Sequence, residues 1–87
     1  MNHYRRKFID SFSGYPNWDA KTKAHAIELL VGKYAYWQSR DTHGISYSIE
    51  ERIEEIREQV EQDLEEYLEL EDYEICQILK DVTEVLI

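Results

Sequence analysis

Ser48-Ile49-Glu50-Glu51-Arg52-Ile53-Glu54-Glu55-Ile56-Arg57-Glu58-Gln59-Val60-Glu61-Gln62-Asp63-Leu64-Glu65-Glu66-Tyr67-Leu68-Glu69 carries the clearest structural signal in this chain. Ser48 with Glu51 three residues on reads as a capping box. In it the hydroxyl and the carboxylate each accept from a backbone amide that the first turn of a helix leaves unpaired. Behind that start, Ile49, Ile53, Ile56, Val60, Leu64 and Tyr67/Leu68 recur at intervals of three and four. Such spacing lines one narrow helical face and leaves the rest to solvent. All three glycines and the single proline lie at or before Gly44, so nothing beyond it intrinsically breaks a helix.

Past Glu69 the stripe loses phase, then resumes as Ile75, Ile78, Leu79, Val82 and Leu86. Asp72 is an acceptable N-cap, which favours a break and a fourth helix. The alternative is one rod of about 39 residues, about 58 Å long, which would have to pack against another chain.

Working towards the N-terminus, Asp19 can cap a second helix with Ala24, Ile27, Leu30, Val31, Tyr34 and Trp37 on its apolar side. This reads as the core helix. Its other side, His25, Leu29, Gly32 and Tyr36, is also rather apolar, which predicts cover from the rest of the chain and from another subunit. Asp41-Thr42-His43-Gly44 ends it, with Gly44 free to take a left-handed conformation. Ser13-Gly14-Tyr15-Pro16-Asn17 collects turn formers, and before it Tyr4, Phe8 and Phe12 place three aromatics on one face of a short first helix. The expectation is an all-α fold, a small bundle of three to four helices in one domain at about 3–12, 19–40, 48–69 and 72–86. The third helix is long and strongly acidic.

Composition agrees that the chain folds. Hydrophobic residues make up 43% and aromatics 13% of 87 residues, too many for a disordered chain even at a formal charge of -9. The charge is divided sharply. Residues 1–47 hold seven Lys/Arg against four Asp/Glu, a net of +3, and residues 48–87 hold three against fifteen, a net of -12. That asymmetry points to a charged partner, or to the two halves neutralising one another on packing. One cysteine, Cys76, cannot form an internal disulfide, and its place on the fourth stripe reads as a buried thiol. Met1-Asn2-His3-Tyr4-Arg5-Arg6-Lys7 leads into no signal-peptide core, and no apolar run is long enough to span a bilayer, so the expected location is cytoplasmic, away from membranes.

Catalytic patterns are missing. His3, His25 and His43 stand far apart without a cysteine or second histidine at helical spacing, so neither a metal nor a cofactor is expected. There is no phosphate-binding glycine loop, nucleophile elbow or EF-hand loop, and the helical carboxylates lie outside the apolar stripe, where nothing perturbs them. The chain reads as a binding protein and not an enzyme.

Its strongest feature is acid density. Residues 50–74 contain thirteen carboxylates against Arg52 and Arg57, about one per 2.9 Å of helix, comparable with the 3.4 Å per phosphate along a DNA strand. Glu50/Glu54, Glu54/Glu58, Glu61/Glu65 and other like charges one turn apart each cost about 0.2–0.5 kcal/mol, which a merely solvated helix would relieve with lysines. In size, acidity and lack of motifs the chain is similar to phage-encoded inhibitors of host defence, anti-CRISPR proteins and DNA mimics among them. That likeness is one of composition and assigns no residue. The first functional expectation is a regulator or inhibitor of a basic, nucleic-acid-handling protein, using Glu50, Glu51, Glu54, Glu55, Glu58, Glu61, Glu65, Glu66 and Glu69 as phosphate surrogates. Two others stand beside it. One is a helical homodimer paired through Ile53, Ile56, Val60 and Leu64, with Leu29 and Tyr36 as a further contact. The other, less favoured because aromatics at helical spacing are usually core, is direct nucleic-acid binding through Arg5, Arg6, Lys7, Lys21 and Lys23 among the N-terminal aromatics.

Overall fold

The computed structural model describes residues 2–41 and 48–86. These residues are 85% helical and contain no strand. The elements are α1 (His3–Asp10), a 3₁₀ turn (Tyr15–Asn17), α2 (Ala20–Asp41), α3 (Ile49–Glu69) and α4 (Tyr73–Val85). Side-chain caps open each helix. The Asn2 carboxamide accepts from the Tyr4 and Arg5 amides, Asp19 from Thr22, Ser48 from Glu51 and Asp72 from Ile75. Thr22's amide also holds the Asp19 carboxyl below its ordinary pKa. Ser48 and Glu51 bond reciprocally, although the Glu51 carboxylate accepts from the Ser48 hydroxyl and not from a backbone amide.

Continuity of the last two helices is settled by residue 71. The Glu71 amide donates to Leu68 O at 3.1 Å and the Asp72 amide to Tyr67 O at 3.0 Å, the paired bonds of a Schellman turn. Such a turn needs a left-handed residue at its apex, where Glu71 sits with φ of 56°. Glycine normally holds this place, which is why composition alone gave no firm stop here.

The centre of the fold is α4, not α2. Ile75, Cys76, Ile78, Leu79 and Val82 are all buried, and α3, α2 and the 3₁₀ turn all pack on this helix. On α2 the buried residues are Ala26, Leu30, Tyr34 and Gln38, while Ala24 is exposed. The face is thus turned slightly from the expected one, because Gln38 is drawn inwards by hydrogen bonds with Arg52, donating to its carbonyl and accepting from its Nε. The opposite side, His25, Leu29, Gly32 and Tyr36, is exposed. On α3 the interior positions are Ile56, Val60, Asp63 and Tyr67; Ile49, Ile53 and Leu68 face outwards. On α1 the buried residue is Ile9, Tyr4 is exposed, and Phe12 lies beyond the helix in a run of i→i−3 bonds. The turn expected at Thr42-His43-Gly44 falls outside the described residues.

No helix among the described residues is long and apolar enough to cross a membrane. Gly14 holds φ of 94° and donates its amide to Glu74, so the loop before the 3₁₀ turn is pinned to the start of α4. Exchanging glycine at the two left-handed positions has opposite signs. Glu71→Gly is expected to stabilise by about 0.5–1 kcal/mol and raise the melting temperature by about 2–8 °C, and Gly14→Ala to lower it, both read by thermal circular dichroism.

Candidate functional site

The site is built on the orientation of α3, which a buried carboxylate sets. Asp63 stands where the spacing of Ile56, Val60 and Tyr67 calls for an apolar residue, and it is only 6% exposed. Its Oδ2 accepts two hydrogen bonds, from Arg5 Nη2 at 2.6 Å and from the Tyr34 hydroxyl at 2.6 Å. The Arg5 guanidinium lies 5.1 Å from the centroids of both Tyr34 and Trp37. Two similar clasps accompany it. Tyr67 donates to Asp10 at 2.7 Å and Tyr15 to Asp81 at 2.6 Å. Burial, reinforced by the facing aspartate, pushes all three phenols well above the ordinary tyrosine pKa.

With Asp63 turned inwards, the glutamates of α3 point the other way. At 100° per residue the nine from Glu50 to Glu69 fall within an arc of about 160°, centred opposite the buried stripe. All are exposed except half-buried Glu66. Arg57 Nε lies 3.7 Å from Glu61, and Glu51 is engaged by Ser48. Glu50, Glu54, Glu55, Glu58, Glu65 and Glu69 have no ion pair among the described residues. Of the thirteen carboxylates counted in residues 50–74, Asp63 belongs to the interior, Glu74 is spent on Gly14, and Asp72 caps α4.

No lysine or arginine of the basic N-terminal half forms an ion pair with Glu50, Glu54, Glu55, Glu58, Glu65 or Glu69 among the described residues. Arg5, one of the residues proposed for nucleic-acid contact, is only 16% exposed and bound to Asp63. Arg6 lies 4.0 Å from Asp10 and over the Tyr67 ring, Lys23 over Tyr15, and Lys33 over Phe8 and Tyr36. Lys7 and Lys21 are exposed. Arg5, Arg6, Lys23 and Lys33 therefore attend aromatic rings, mostly of their own half, and the direct nucleic-acid surface loses Arg5 to the interior.

The residues of the expected dimer seam are divided between interior and surface. Ile56 and Val60 are buried within the chain and half-buried Leu64 packs on its core; Ile53, Leu29 and Tyr36 remain exposed, on two different helices. Cys76 is 3% exposed, and burial raises its thiol pKa, with Asp72 adding to the effect. His3 and His25 are exposed, His43 lies outside the described residues, and no group of three or more His, Cys, Asp or Glu suited to a metal occurs among the described residues. No family model, curated protein sequence or solved structure matches the chain, so the functional reading rests on these side chains.

Asp63→Ala leaves the Arg5 charge and the Tyr34 hydroxyl without their buried partner. It is expected to cost about 3 kcal/mol and at least about 10 °C in melting temperature, whereas Glu58→Gln stays within about 0.5 kcal/mol. Equal effects of the two would disprove the assigned role. The tyrosines set an alkaline limit. Their folded pKa values are raised, so their contribution is complete below the unfolded value near 10 and is lost as pH rises above it. Phenolate absorbance from Tyr15, Tyr34 and Tyr67 is expected to appear together with loss of the helical dichroism signal, not before it.

Proposed function

We propose that the protein is a small binding regulator or inhibitor that engages a basic, nucleic-acid-handling protein through the outer face of α3. The observation that carries this reading is the arc of glutamates, of which Glu50, Glu54, Glu55, Glu58, Glu65 and Glu69 have no ion pair among the described residues. Nine carboxylates along about 28 Å of helix, one per roughly 3.2 Å, match the charge spacing of a nucleic-acid strand on a rigid rod. Like charges at i,i+4 spacing oppose the helix by about 0.2–0.5 kcal/mol each; Arg57 pairs with Glu61, while Glu50, Glu54, Glu58 and Glu65 have no ion pair among the described residues. A groove that binds phosphates by an array of Arg and Lys would gain the same contacts from these carboxylates, and their long-range field would speed the encounter. The likeness to phage-type anti-defence proteins and DNA mimics is proposed on this charge pattern alone.

The test starts from affinity capture of the partner in the native host. A variant carrying Glu54→Lys, Glu58→Lys, Glu61→Lys and Glu65→Lys is then expected to lose partner binding while its melting temperature stays level or rises, because these residues lie on the exposed arc. Binding by the parent is expected to weaken as salt goes from 50 to 300 mM, where the Debye length falls to about 6 Å. A variant that binds the captured partner as tightly as the parent would reduce the face to a solvated surface.

A further inference from the structure

We propose that the groove between the start of α1 and the C-terminal half of α2 is a binding site for a nucleoside phosphate. Asn2, Tyr4, Arg5, Tyr36, Trp37 and Arg40 line a groove of about 490 Å³, inside the range of about 300–1,000 Å³ typical of small-ligand clefts. It lies apart from the acidic arc, since no α3 residue lines it.

Two properties narrow the ligand. The first is charge. The chain has 19 acidic residues, yet no carboxylate occurs among the described residues lining the groove, which carry two guanidinium groups instead. The polar groups here are mostly donors. Asn2 spends its oxygen on the Tyr4 and Arg5 amides, which leaves its NH₂ to donate. Arg40 is exposed and donates to the Tyr36 hydroxyl at 3.4 Å, with Lys33 5.5 Å from the same ring. Arg5 is held in place by Asp63, and its buried Nε has no acceptor. An acceptor-rich anion is the complement, and phosphate oxygens suit a guanidinium fork.

The second property is the aromatic wall. Tyr4 is 81% exposed and Tyr36 51%, so both rings offer their surface to solvent. A base stacks on such rings, whereas the side chains of an acidic peptide would leave them unused. A long single strand brings more phosphates than the one exposed arginine of the groove, Arg40, can meet, and it approaches a molecule of net charge -9. The fit is to one nucleotide, with its base against Tyr36 and its phosphate on the neighbouring Arg40 and on Asn2. Arg5 is already ordered, so its side chain needs no further ordering on binding.

The test is a nuclear magnetic resonance titration of the intact chain with AMP, adenosine and a twelve-residue oligothymidylate at 150 mM salt. AMP is expected to shift the Trp37 indole N–H and the Asn2 carboxamide signals saturably. Arg40→Gln should weaken AMP by about tenfold and leave adenosine unchanged, because it removes only the phosphate contact. Tyr36→Ala should weaken both by about tenfold, because it removes stacking. Both side chains are exposed, and unchanged helical dichroism would confirm that the variants fold. No saturable shift with millimolar AMP overturns the proposal. An Arg40→Gln variant with parental AMP affinity, or shifts with the oligonucleotide alone, would also overturn it.

Discussion

The Asp63 carboxylate is the constraint around which the molecule is arranged. A charged group 6% exposed would be expelled from a helical core unless its partners were fixed in advance, and here they come from α1 and α2 at separations of 58 and 29 residues. Three helices must therefore be in place together before the carboxylate is satisfied. Tyr67–Asp10 and Tyr15–Asp81 extend the pattern, tying α3 to α1 and the 3₁₀ turn to α4. Each clasp sets a phenol against a carboxylate, so the bundle gains direction from hydrogen bonds where its modest apolar core supplies mainly cohesion.

That arrangement also explains the outer surface. A helix with a wide acidic arc can roll about its axis at little cost if only aliphatic residues hold it, since Ile and Leu contacts are not directional. Anchoring Asp63 and Tyr67 on the inner side removes that freedom. The glutamates are consequently displayed in a fixed register, which is what a charge pattern needs if it is to be read by a partner with ordered cations.

Much of the architecture was legible because its signals are local. Asp19, Ser48 and Asp72 reveal helix starts through chemistry that acts across three residues. The acidic arc is legible for the same reason, since periodicity alone places Glu54, Glu58, Glu61 and Glu65 away from Ile56 and Val60. What was not legible depends on distant partners. Asp63 and Gln38 read as surface residues until Arg5, Tyr34 and Arg52 are brought to them, although an acid at the 56–60–63–67 spacing is a usable hint. The primacy of α4 over α2 was hidden because both carry apolar stripes, and only packing shows which is surrounded. The stop at Glu71 left no trace in composition because a residue other than glycine occupies the left-handed position. The basic half was opaque for a different reason: Arg5, Lys23 and Lys33 lie over rings of the same half, a pairing that a linear count of charges cannot show.

The single thiol has a consequence of its own. Cys76 sits on the surrounded helix, with Ile75 and Leu79 buried beside it, so no small reagent reaches the sulfur while the helices stay packed. Alkylation of the Cys76 thiol is therefore gated by an opening that separates α4 from its neighbours, and its rate reports how often the molecule visits that open state. The same gate keeps two copies from cross-linking through sulfur under oxidising conditions, so the core itself protects the chain's one thiol.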